Sequence, residues 1–199
     1  ELSGQYESNV EGLYIIGSLA GYPLIKQAMN QGYDVVEYIH GHKIKPADHP
    51  LLELQFNLLP YHKDVDDLVK LFQRRIPMFR EMNALQFREL VIESDILVSY
   101  EDGPILSDVQ KQSAALAKKL AQKEPSPSFT RIIRVGDYIY RDGDFTNTFF
   151  TIVEGEVELE SIGAKTRTTY TRGQFFGEAS LLSGRPREGN AIAGKYCII

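Results

Sequence analysis

From Gly136 to Gly194 a glycine recurs every four to twelve residues. No helix of ordinary length fits between turns set so close, so this half of the chain must fold as short strands. Turns this tight also favour antiparallel neighbours, because a parallel crossover needs a dozen or more residues. Residues 135–144 read as strand, tight turn, strand, and 149–159 as two strands joined at Glu154-Gly155. Further strands follow at 165–170, 173–176, 190–193 and 196–199, and Ile96–Tyr100 supplies an earlier one. Glu156, Glu158 and Glu160 fall on one strand face, which reads as solvated. The pattern predicts an antiparallel β jelly roll rather than a parallel sheet.

The first half carries helical signals. Asp64 sits where a cap belongs, and the apolar positions Leu68, Leu71 and Phe72 predict a helix to about Arg75, stopped by Pro77. Asn83 with Gln86 predicts a second start, with Leu85, Leu90 and Val91 facing inward to about Glu93. Pro46, Pro50 and Pro60 make residues 46–63 read as a linker with a short apolar turn at 51–59. An alanine- and lysine-rich stretch, Ser107 to Lys123, predicts a solvated helical insert within 101–130. At the N-terminus, residues 10–17 read as a buried strand ending in a glycine turn, and Leu24 to Ile39 as a helix opened by Pro23. The expected class is therefore α+β: an antiparallel jelly roll with N-terminal helices, a helical insert and a short strand–helix appendage, whose apolar faces must be buried against the roll or a second copy of the chain.

Composition narrows the function. The 199 residues carry a net charge of −5, which argues against a general nucleic-acid or membrane surface. The single cysteine, Cys197, excludes an intrachain disulfide and fits a cytoplasmic location. No metal site is expected, since His40-Gly41-His42 stands without a supporting cysteine or carboxylate cluster. No nucleophile–base pair is visible, and the chain alone is not expected to be an enzyme.

One stretch does carry ligand chemistry: Phe176-Gly177-Glu178-Ala179-Ser180-Leu181-Leu182-Ser183-Gly184-Arg185-Pro186-Arg187. Glu178 can accept hydrogen bonds from a ribose hydroxyl. Arg187, nine positions on, offers a charged fork to phosphate oxygens. The small residues between them let backbone N–H groups close on an anion.

With the turns at Gly136-Asp137 and Glu154-Gly155, this stretch resembles the cyclic-nucleotide-binding domain family over roughly residues 68–199, interrupted by the insert. The resemblance implies a cAMP or cGMP ligand. It implies that Glu178 holds the ribose 2′-hydroxyl and that Arg187 pairs with the cyclic phosphate. Gly177, Ala179, Ser180 and Glu188 complete the ligand set, with N–H groups at Ser180 and Glu188. The family prefers small residues after the arginine, where this chain has Glu188, Gly189 and Asn190. It would continue past Ile199 with a strand and a lid helix over the base.

A second resemblance lies in residues 9–17, with Gln27-Ala28 and Gly32. They look like the last flavin-contacting segment of FAD-dependent pyridine-nucleotide oxidoreductases. Gly17 and Ser18 would touch the flavin in such a parent, although the usual aspartate is replaced by Ser18 and no Gly-x-Gly-x-x-Gly occurs. Residues 1–45 are thus expected as a remnant of a Rossmann-type domain, binding no cofactor in this chain. The expected function is a regulatory cyclic-nucleotide-binding module of a larger flavin-dependent oxidoreductase. Its partners would be the nucleotide, the flavin domain of the parent and a second copy of itself. The alternative is a ligand-free β-roll used for dimerisation or docking.

Overall fold

The structure, a computed structural model, describes residues 2–42, 45, 48–61, 63–101, 108, 111 and 130–199. The expected insert helix at Ser107–Lys123 lies outside the described residues but for two positions. Helices α1 (Ile25–Ile39), α2 (His49–Phe56), α3 (Val65–Arg75) and α4 (Ala84–Ile92) precede the strands, and a short helix α5 (Glu178–Ser183) interrupts them.

α4 begins with the expected capping box. The Asn83 side chain accepts from the Gln86 N–H at 2.8 Å, and the Gln86 side chain accepts from the Asn83 N–H at 3.2 Å. Asp64 occupies the cap position of α3 without a side-chain cap bond. Asp66 and Asp67 in the first turn and Arg74 and Arg75 in the last still match the helix dipole. The stretch expected as a linker is instead partly helical. α2 seats Leu52 and Phe56 in the main core, because its prolines fall at the helix start and after its end, where they break nothing.

The strands are β1 (Ile96–Tyr100), β2 (Thr130–Arg134), β3 (Tyr138–Tyr140), β4 (Phe150–Thr151), β5 (Glu156–Ser161), β6 (Thr166–Thr171), β7 (Phe175–Phe176) and β8 (Asn190–Ala193). One sheet has the order β3-β8-β5-β6, all antiparallel, and β4 pairs antiparallel with β7. The all-antiparallel expectation fails at β1 and β2, which pair parallel. A long connection separates these two strands, so the tight-turn argument never applied to them. The strands on either side of Glu154-Gly155 fall in different sheets, so this turn is not a hairpin.

β1 explains how the halves join. Ile96, Val98 and Tyr100 face a core shared with α2, α3 and α4, while Leu97 faces a second core among the strands with Ile152, Val157, Phe176, Ala191 and Cys197. A strand buried on both faces reads as a continuous apolar run, as Ile96–Tyr100 does. Cys197–Ile199 runs antiparallel beside it, with Leu97 and Ile199 exchanging bonds at 2.9 and 3.0 Å. At the seam, Arg75 of α3 donates to Glu154 at 2.6 Å and to the Tyr61 hydroxyl at 2.7 Å.

The N-terminal segment departs from expectation. Residues 10–17 form no strand: one isolated bridge joins Glu7 to Tyr14, and Val10 and Leu13 are exposed. A strand needs neighbours, and this segment has no sheet to join. Helix α1 does form, and Gln31 of α1 accepts from the Gly17 N–H at 2.7 Å. Tyr6 and Val35 pack on Leu85 of α4. Ile25, Met29, Tyr33, Val36 and Ile39 of α1 remain exposed, so the expected burial holds for one face only.

Candidate functional site

The cleft is built around a turn that β7 delivers. Phe176 is fully buried and stacks on Phe150, with ring centroids 5.1 Å apart and planes at 15°. That anchor fixes where Gly177 leaves the strand. Gly177 turns left-handed at φ 83°, and a Cβ there would lie 2.6 Å from Arg187 Nη1, so only glycine fits. Glu178 then opens α5, whose first N–H groups have no partner within the helix. The helix ends at Gly184, and Pro186 leads into Arg187.

The returning segment is pinned to the turn after β3. The Arg187 N–H donates to the Asp144 carbonyl at 2.8 Å, and the Gly143 N–H donates to the Arg187 carbonyl at 2.9 Å. The Gly189 N–H donates to Asp142 at 2.7 Å, while Asn190 accepts from the Asp142 N–H at 2.9 Å and donates to Glu160 at 2.8 Å. Gly189 passes so near β5 that a Cβ would sit 2.2 Å from the Glu160 carbonyl. The hydrogen bond from Asn190, then that from Arg167, holds the Glu160 carboxyl below the usual carboxylate range.

Arg187 is 3% exposed. Its guanidinium lies 4.5 Å from the centroid of the Tyr140 ring and donates to the Thr146 hydroxyl at 2.8 Å and to the carbonyls of Gly177 and Thr148. Every one of these acceptors is neutral. Among the described residues no carboxylate pairs with Arg187, which leaves a buried positive charge without a counter-charge. Three of its five N–H groups are committed. Burial pushes the Tyr140 phenol above its ordinary value, while the charge of Arg187 pulls it down and that of Glu178 pushes it up.

The sequence-predicted residues Gly177, Glu178, Ala179, Ser180, Arg187 and Glu188 all line one cleft of about 360 Å³, with Tyr140, Leu159 and Tyr170 as its apolar wall. The Glu178 carboxylate is half-buried and has no hydrogen-bond or ion-pair partner among the described residues. Glu188 is exposed, so its carboxylate does not occupy Arg187. Gly17 and Ser18, the other predicted contacts, lie in a 3₁₀ turn of the N-terminal segment. Sequence reasoning missed Tyr140, Thr146 and Thr148. No local motif flags them, because they meet Arg187 from about forty residues upstream. Among the described residues no group of histidine, cysteine or acidic side chains is arranged to hold a metal, and no helix is long and apolar enough to cross a membrane.

Comparison with known proteins bears on the same segment. Residues 130–199 match the model of the family described as the cyclic nucleotide-binding domain. The cAMP-dependent protein kinase regulatory subunit of Schizosaccharomyces pombe is 30% identical over 96 residues, covering 48% of this chain and 21% of that protein. That of Emericella nidulans is 31% identical over 119 residues, covering 56% and 27%. A solved structure of the regulatory domain of Toxoplasma gondii PKA with cAMP is 18% identical, covering 67% of this chain and 40% of that one, with a TM-score of 0.42. The chain spans about a quarter of the length of the curated relatives it matches. The segment that builds the cleft and buries Arg187 is thus also the segment that matches the cyclic nucleotide-binding domain model.

Proposed function

We propose that the cleft binds a 3′,5′-cyclic nucleoside monophosphate, cAMP or cGMP, and that the chain acts as a regulatory module rather than an enzyme. The observation that carries this reading is the buried guanidinium of Arg187 with neutral partners only. A cyclic phosphate at the start of α5 would supply the missing negative charge and meet unpaired N–H groups there. The unpartnered Glu178 carboxylate would accept from the ribose 2′-hydroxyl. The curated relatives are regulatory subunits of cAMP-dependent kinases, which agrees with a regulatory role. Binding would act as a population shift, with a closed turn at 177–187 biasing the helices α3 and α4 that pack on β1.

Residues 1–45 extend the proposal: the module serves a flavin-dependent oxidoreductase. Its support is the likeness of residues 9–32 to a flavin-contacting segment, in which Gly17 and α1 do meet through the Gln31 bond. The visible spectrum of the protein expressed from its natural gene tests this part, and lack of a stoichiometric flavin there refutes it. The second reading, a ligand-free β-roll used as a scaffold, draws on one observation: three donors of Arg187 already have protein acceptors.

Calorimetric titration of cAMP and of cGMP separates the readings. Saturable heat with either nucleotide supports the sensor. Silence and an unchanged melting temperature at millimolar nucleotide would leave the scaffold.

A further inference from the structure

Helix α1 has one face covered by the rest of the structure and an opposite, apolar face that is not. Gln31 and Val35 are buried against the N-terminal segment and α4. Ile25, Met29, Tyr33 and Val36 project from the other side at 80%, 70%, 65% and 52% exposure. These four fall at helical spacing on one stripe, three turns long. A contiguous exposed apolar stripe of this kind marks a contact surface.

We propose that the stripe is the interface of a twofold dimer, in which α1 of one copy lies antiparallel against α1 of the other. The argument comes from its symmetry. The stripe is nearly palindromic about residue 31: Met29 falls level with Tyr33 of the second copy, and Ile25 level with Val36. Reversing the helix direction therefore matches the stripe to itself, as an isologous contact demands.

The charges beside it follow the same symmetry. Lys26 and Glu37 are eleven residues apart, three helical turns, so both lie on one flank of the stripe. In an antiparallel pair a flank meets its own counterpart. Lys26 of each copy then faces Glu37 of the other, twice per dimer. A parallel pair would instead place the two Lys26–Glu37 flanks on opposite sides of the contact, leaving both charges without a counterpart across it. Within its own chain, Glu37 contacts His42 at 2.5 Å from the helix end. Two such faces bury on the order of 1,000 Å² in total, enough for a specific but weak association.

Sedimentation equilibrium from about 1 to 300 µM at pH 8 tests this. The wild type is expected to pass from monomer to dimer over that range. Met29→Lys, at an exposed position, should stay monomeric with an unchanged circular dichroism spectrum. Lys26→Glu sets acid against acid and Glu37→Lys sets base against base, so each should weaken self-association on the order of tenfold. An equimolar mixture of these two variants restores both ion pairs and should associate as tightly as wild type. A wild type that stays monomeric throughout overturns the proposal. So does a Met29→Lys variant that still dimerises, or a mixture no tighter than its components.

Discussion

Removing Arg187 should affect stability and binding by different amounts, and the two can be measured apart. In Arg187→Ala without ligand, the carbonyls of Gly177 and Thr148 lose their donor, while the Thr146 hydroxyl can turn to water. An unsatisfied buried acceptor costs about 1–3 kcal/mol. Deleting a buried charge that has no counter-charge returns part of that cost. The net loss of stability expected from urea unfolding is about 1–3 kcal/mol. With nucleotide present, the variant also lacks the cation that pairs with the phosphate, worth about 2–5 kcal/mol. Calorimetry should then show a dissociation constant for cAMP raised about 30-fold to a few thousand-fold. Arg187→Lys keeps the charge but loses the fork, and should fall between wild type and alanine. Unchanged affinity in a folded Arg187→Ala would refute the assignment of the phosphate to this side chain. A variant as stable as wild type would refute the energetic account of its hydrogen bonds.

Three further outcomes follow from the same geometry. Glu188→Ala should change nucleotide affinity by less than about 0.5 kcal/mol, since the side chain is exposed; several-fold tighter binding by calorimetry would show that its carboxylate competes with the phosphate. Gly189→Ala places a methyl 2.2 Å from the Glu160 carbonyl at a φ of 111°, so it should lower the melting temperature and abolish binding together; wild-type melting would contradict the close approach. Glu160 has a folded pKa below its unfolded one, so its contribution is present above the ordinary glutamate value of about 4.3 and fades as pH falls through the folded value. Asn190→Ala should therefore flatten the acid side of the stability–pH curve, and an identical slope in the two proteins would count against the Asn190–Glu160 bond.

The parts legible in the sequence are those with local causes. The Asn83–Gln86 capping box, the stop at Pro77, and the strands between closely spaced glycines all depend on residues within a few positions of one another. The turn from Phe176 to Arg187 was legible for the same reason, since the segment carries its own geometry. Readings failed where the outcome depended on distant partners. Residues 46–63 looked like a linker because of three prolines, but burying Leu52 and Phe56 against α3 and α4 outweighs the propensity argument. Residues 10–17 had the composition of a buried strand, yet a strand is stable only beside another. β1 and β2 pair parallel because their connection is long, which the short turns elsewhere concealed.

The division between local and distant causes also runs through the cleft. Its chemistry lies in twelve consecutive residues, but the state of that chemistry is set from outside them. Thr146 and Thr148 decide where the Arg187 fork points, and Tyr140 shields it from water. Asp142 and Asp144 hold the segment that carries it. A chain with the same twelve residues and an acidic side chain at position 146 would neutralise Arg187 internally and weaken the demand for an anion. Here the acceptors are neutral, so burying the guanidinium leaves a charge imbalance that no carboxylate among the described residues corrects. A scaffold without a ligand gains nothing from that imbalance, whereas a phosphate site needs it. The neutral character of the partners, more than the presence of the arginine, is what favours a sensor.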